Sequence, residues 1–324
     1  ELYKKKDYNA LIAEYSKTPF LSPDYMDHQM NIISLYTNSD RFKEALELCE
    51  SLSKNKYLEP NYQIMMSYAS LLSDDGKYEQ ALEQFDRVKK IIPNSPVLNY
   101  NYALIYYRQG NIQKAIDMLK HNLTYYPYHN NSIYMLGKIA LDDNNLAVGT
   151  SLFMTYLLSE PQGRSSEFII SALDKKLSSF NTGTSKYVYS SQGDDLSELD
   201  MILKNDFALN PQYKVRMDLD EKFTRNLQII FDYYKDHEFK NGFIENNFGK
   251  WISYVAKQDK VSEITYYSLL STLDSNPKII GKNIKKIEDF VKTDDFTSIF
   301  NVYGTKTFDQ KKTLVTINKG LYQY

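Results

Sequence analysis

The side chains able to carry chemistry in this 324-residue chain are few, and their spacing argues against a reaction centre. The histidines are His28, His121, His129 and His237. A metal site on a helix needs ligands three or four residues apart, so that both project from one face. No two of these histidines have that spacing. His121 and His129 straddle an expected helix end, where a protonated imidazole would favour the last carbonyls. The single cysteine, Cys49, excludes an internal disulfide and a thiolate cluster. Its place on the apolar side of a helical stretch predicts a buried thiol. Asp194-Asp195 and Asp294-Asp295 precede helical stretches, where helix capping explains them better than acid–base catalysis. There is no Gly-rich phosphate loop, nucleophile-elbow serine or His-Glu helix motif. The expectation is a non-enzymatic protein without metal or cofactor.

The strongest pattern lies in the elements. From Pro96 to Pro127, two stretches of helical apolar periodicity flank a turn at Gly110-Asn111. Ala103 and Ala115 stand where two antiparallel helices would cross, and Pro127 closes the second. Steps of 34 residues link Ala81, Ala115 and Gly149; Ala69, Ala103 and Gly137; Gly76 and Gly110; and Pro93, Pro127 and Pro161. Small residues let paired helices approach, glycine takes the turn angles, and proline ends the second helix. Asn144 replaces the turn glycine in the last unit and tolerates the same angles. Seam positions are Tyr68, Leu72, Tyr78 and Phe85; Tyr102, Tyr106, Ile112 and Leu119; and Leu136, Ala140, Leu146 and Phe153. An earlier unit, Met26 to Pro60, places Ile33, Tyr36, Phe42 and Cys49 in the seam. Its Ala45 precedes Ala81 by 36 residues, so two extra residues lie in Lys54 to Pro60. Leu11 precedes Ala45 by 34, which makes the start of the chain the second half of a leading unit.

This pattern resembles the tetratricopeptide repeat, a 34-residue helix–turn–helix unit. The resemblance implies an all-α fold for the N-terminal half, a right-handed α-α solenoid. It also implies a concave face lined by the first helix of each unit, where ligand peptides lie in the family. Carried over by register, that face holds Met66, then Tyr100, Leu104, Tyr107 and Arg108, then Tyr134 and Lys138, with Met30 and Ser34 in the earlier unit. The family's carboxylate clamp of Lys, Asn and Arg is absent, because Met30 and Ser34, Met66 and Ser70, or Tyr100 and Leu104 occupy its first positions. What remains is a groove of Met, Tyr and Leu suited to an apolar or aromatic peptide or helix, or covered by the chain's own helices.

Beyond Pro161 the register fades. Glu167 to Phe180 reads as a helix capping the array, so the solenoid is expected over 1–180. Residues 181–194 read as a loop, with Tyr187-Val188-Tyr189 available to dock on a neighbour. Residues 195–324 read as an irregular helical module, with a short β-hairpin around Asp309 to Asn318 as an option. Helical stretches there are Leu196 to Leu209, Glu221 to Tyr234, Phe243 to Ala256, Val261 to Leu273, Asn283 to Val291 and Phe296 to Tyr303. Lys278 to Lys292 is basic and amphipathic, and reads as an ordinary solvated face.

Composition fits a folded chain, at 42% hydrophobic and 25% charged. A net charge of −2 gives no general pull toward nucleic acid. No apolar run reaches the ~18–20 residues of a membrane span. Twenty-nine tyrosines suit helix seams and binding surfaces, and an A/T-rich genome would also inflate them. The functional expectation is a protein–protein interaction scaffold using the concave groove. The alternatives are an accessory subunit of a bacterial envelope or outer-membrane complex, peripherally associated, and an enzyme or carbohydrate-handling module in 195–324 recruited by the solenoid. A start at Glu1 without methionine reads as trimmed. The compartment leans extracytoplasmic, in a bacterial periplasm or at an outer membrane, with the cytoplasm as alternative.

Overall fold

Every expected repeat closes its first helix with the same turn. In a computed structural model of the chain, the described residues are 7–58, 61–178, 183–191, 193–205, 210–216, 222–258, 260–272 and 277–303. Among them Asp40, Gly76, Gly110 and Asn144 have positive φ, at 59°, 76°, 77° and 59°. The residue after each donates its N–H five positions back around the turn: Arg41 to Tyr36 O, Lys77 to Leu72 O, Asn111 to Tyr106 O and Asn145 to Ala140 O, at 2.8–2.9 Å. That bond satisfies a carbonyl the helix end leaves without a partner. Asp40 extends the register to the earlier unit, where the sequence reading had named no turn residue.

The regular elements among the described residues are all helical, and the chain divides into two compact units, Glu1–Met118 and Leu119–Tyr324. The first unit holds α1 (Tyr8–Tyr15), α2 (Tyr25–Asn38), α3 (Phe42–Lys54), α4 (Tyr62–Asp74), α5 (Tyr78–Ile91), α6 (Pro96–Arg108) and the start of α7 (Ile112–Tyr125). Helices begin where sequence caps them. Asn61 Oδ1 accepts from the amides of Gln63 and Ile64, and Ser95 Oγ accepts from Leu98 N with Pro96 at the first helical position. From α1 to α6 each helix contacts the next, and the first helices α2, α4 and α6 also contact in succession. Ala45, Ala69, Ala81, Ala103 and Ala115 are fully buried, as expected of crossing points. Around them Ile33, Cys49, Tyr68, Leu72, Phe85 and Tyr102 share one core. Leu11 and Ile12 of α1 pack with Ile32 and Leu35 of α2, so the leading half-unit is seated on the array. Phe42 departs from expectation: it is 48% exposed rather than in the seam.

The second unit continues with α8 (Asn130–Asp142), α9 (Leu146–Ser159), α10 (Ser166–Leu177), α11 (Ser197–Lys204), α12 (Lys222–Asp236), α13 (Lys250–Lys257), α14 (Val261–Ser268), α15 (Pro277–Val291) and α16 (Asp294–Tyr303). Here glycines do the work of the alanines. A Cβ on Gly137 would stand 2.6 Å from the Phe153 ring, and one on Gly149 2.6 Å from Leu141. Helix α9 is buried along its whole length to Leu158. It contacts α8, α10, α11 and α14, so the C-terminal helices pack directly on the last repeat. They also complete its hydrogen bonds. Asp200 of α11 accepts from Leu146 N at 2.7 Å and Ala147 N at 3.1 Å, capping α9 from another helix. Asn226 of α12 donates to Leu177 O at the end of α10, and Tyr234 and Ser151 share a buried hydroxyl bond of 2.8 Å.

The expected C-terminal helices are present with shifted bounds; Pro277 is the first residue of α15. A π-helical turn, Glu245–Gly249, leads into α13. The apolar side of α15 is buried through Ile284, Ile287, Phe290 and Val291 while Lys285 and Lys286 are exposed, as a solvated face requires. Tyr189 docks as anticipated, 1% exposed, with its hydroxyl donating to Ile139 O and Asp143. The hairpin considered at Asp309 to Asn318 lies outside the described residues. No helix among those described is long and apolar enough to cross a membrane.

Candidate functional site

The face that register assigns to partner binding is built by the first helices. In the first unit Met30, Met66 and Tyr100 occupy one register position, 36 and 34 residues apart, on the contacting helices α2, α4 and α6. All three are half-buried. Met30 and Met66 rest on the core, which anchors a soft, polarizable surface. Tyr100, Leu104 and Tyr107 recur at three- and four-residue spacing, so they share one side of α6. Arg108, at the end of this strip, is already committed. Its guanidinium meets Asp74 Oδ1 at 2.6 Å and donates to Ser73 Oγ at 2.7 Å, tying α6 to α4. It is a clamp between repeats rather than a cation held ready for a ligand.

In the second unit Tyr134 and Lys138 share one side of α8. Tyr134 sits among rings: stacked on Phe153 with centroids 6.0 Å apart, and near Tyr156 and Phe168 at 6.3 and 6.0 Å. Burial pushes its hydroxyl pKa up, ahead of the opposing pull of Lys138. Lys138 pairs with Asp142 one turn on, at 2.6 Å. Phe168, 34 residues after Tyr134 and 51% exposed, continues the position held by Met66 and Tyr100. The register itself could have found it, had α10 been read as a further first helix and not only as a cap.

The residues considered for chemistry have structural posts. Cys49 is fully buried, which pushes its thiol up to about 12. His129 sits before the start of α8 with Nδ1 2.8 Å from Ser132 Oγ, and burial lowers its pKa. The ring stands at a helix N-terminus, where burial disfavours its charged form, and not beside the C-terminal carbonyls as expected. Asp194 does not cap α11. It accepts from Ser191 N and from Glu245 N, at the entry to the π-helical turn. Ahead of α16 the cap is Thr293, whose Oγ1 accepts from Phe296 N, and Asp294 and Asp295 occupy the first turn. His237 Nε2 lies 2.9 Å from the fully buried Glu245, which also accepts from Lys240 N at 2.6 Å. Among the described residues no group of three or more His, Cys, Asp or Glu is placed to hold a metal ion.

Consecutive helix–turn–helix units with small-residue crossings and a common left-handed turn make the N-terminal half a tetratricopeptide repeat protein. Residues 38–122 match the family model described as anaphase-promoting complex, cyclosome, subunit 3, a repeat family of this kind. No curated protein matched the chain.

Proposed function

We propose that the chain is a non-enzymatic scaffold that binds a partner protein along the first-helix face of its repeats. Repeats of this family act by presenting surface, which supports an interaction role in general terms. The observation that carries the finer reading is the half-buried run of Met30, Met66 and Tyr100, the two methionines resting on the core, extended along α6 by Leu104 and Tyr107. Such a surface suits an apolar or aromatic segment of a partner. The matched family is named for a subunit of a multi-protein complex; a role in assembly is what we carry over, not that complex. Tyr134 and Lys138 belong to the same register in the second unit, with a smaller share because both side chains are engaged.

The test compares the full chain with its Tyr100→Ala, Leu104→Ala double variant in affinity purification from the native source, quantified by mass spectrometry. A partner depleted about tenfold or more by the variant, at unchanged melting temperature, supports the groove. Equal recovery of every partner places binding elsewhere.

A further inference from the structure

The second unit contains a cavity of about 410 Å³ between α11 and α12. Its lining is two isoleucines, Ile202 and Ile229, two tyrosines, Tyr213 and Tyr233, the ring of His237, and four carboxylates, Glu198, Asp232, Asp236 and Glu238. Among the described residues no lysine or arginine lines it.

The hydrogen-bond inventory of this lining is one-sided. Its two hydroxyl donors are spent. Tyr213 donates its hydroxyl to Asp232 at 2.9 Å, and Tyr233 donates to the Asp195 carbonyl at 3.2 Å. His237 places Nε2 2.9 Å from Glu245 Oε1. Asp232 is neutralised by Arg216. Glu198, Asp236 and Glu238 are exposed and have neither a hydrogen bond nor an ion pair among the described residues. Elsewhere in this unit Asp143, Asp194, Asp200 and Glu245 are all satisfied by donors. Among the described residues the cavity therefore combines apolar and aromatic wall with unspent carboxylate acceptors, its hydroxyl donors being already committed. A neutral polar ligand would bring acceptors that find no partner. An anion would be repelled, and a purely apolar group would leave the carboxylates without a charge to meet. A donor-only cation on an aliphatic stem satisfies both parts: the stem lies against isoleucine and tyrosine, and the charge meets the carboxylates and the ring faces. The negative field is already felt by Tyr233, whose hydroxyl is pushed up to about 12 by burial and then by Glu198, Asp195 and Glu245.

We propose that this cavity is a recognition site for a protonated amine or guanidinium on an aliphatic stem, as a lysine or arginine side chain of a partner protein presents it. The proposal is independent of the first-helix groove and survives that reading's failure. The test is saturation-transfer NMR on the full chain, with Nα-acetyl-lysine amide, Nα-acetyl-arginine amide and spermidine as probes and Nα-acetyl-norleucine amide as the uncharged control. Saturable signal from the cations and none from norleucine amide is the expected result. Glu198→Gln with Glu238→Gln should weaken binding about tenfold, and added salt should weaken it in the wild type. Binding by spermidine alone would assign the cavity to free polyamines and overturn the side-chain form. Equal binding of norleucine amide, no saturable signal from any cation, or full binding by the double variant overturns the site. Both substituted residues are exposed, and Asp236→Asn supplies a second charge-removing variant if circular dichroism shows the double variant misfolded.

Discussion

At Gly110 the backbone stands at φ +77°, with nothing within 4 Å of where a Cβ would be. The cost of a side chain there is conformational, not steric. Gly110→Ala should destabilise the chain by about 1 kcal/mol, and Gly110→Asn by several tenths less, because asparagine tolerates these angles as Asn144 does one repeat later at φ 59°. Urea midpoints of the two variants check the order; equal midpoints would refute it. Asp143 is the other residue on which much hangs. It accepts from Ser185 Oγ, the amides of Lys186 and Tyr187, and Tyr189 Oη, holding the 183–191 segment to the α8–α9 turn. Burial pulls its carboxyl pKa upward, but these hydrogen bonds outweigh it and hold it below the usual carboxylate range. A lowered folded pKa contributes stability that is present above the unfolded value near 4 and is lost as pH falls through the folded value. Asp143→Asn should cost about 1–3 kcal/mol near neutrality, and the gap to wild type should narrow on acidification below about pH 4. A constant gap between pH 7 and pH 3 would show that the charge is not what binds the segment. The small and left-handed positions could be read from residue type, since few residues serve there. The partners of Asp143 could not, because they lie more than forty positions away with no fixed spacing.

Among the elements, α9 was the least foreseen. Its seam residues Leu146 and Phe153 were legible, but its burial on every side was not inferred. The signal was present: Leu146 to Ser159 carries no charged residue, and a helix apolar all round is a buried helix. Its N-terminal amides are satisfied by Asp200 of another helix, itself paired with Lys204 at 2.5 Å. Asp200→Ala should therefore cost about 1–2 kcal/mol, as loss of a helix cap does, although the residue lies outside the repeats. A thermal midpoint unchanged by this substitution would mean that α11 does not support α9. Phe42 was misplaced for a related reason. Equivalent positions in a repeat share a seam only if the neighbouring unit covers them, and at α3 the side chain lines an open cavity of about 680 Å³ with Leu46 and Leu71 instead.

For the whole molecule, the two compact units predict uneven resistance to opening. Amide hydrogen exchange of the intact chain should protect α9 most strongly and α1 least, since α1 is a short helix seated on one neighbour while α9 is enclosed. Faster exchange in α9 than in α3 or α5 would contradict the enclosure. The repeat half was legible because one period recurs with interchangeable small residues. The C-terminal helices were legible as helices but not in arrangement, because no period relates them. The enclosure of α9 also bears on how such a chain can change by duplication. A repeat copied in after Ser159 would have to displace α10, α11 and α14 from the surface they already occupy. A copy inserted among the earlier units meets only another repeat on either side. Lengthening by whole units is thus open upstream and obstructed downstream, and related chains of different length should vary in the number of units before α8 while keeping α8 to α14 as one inherited block.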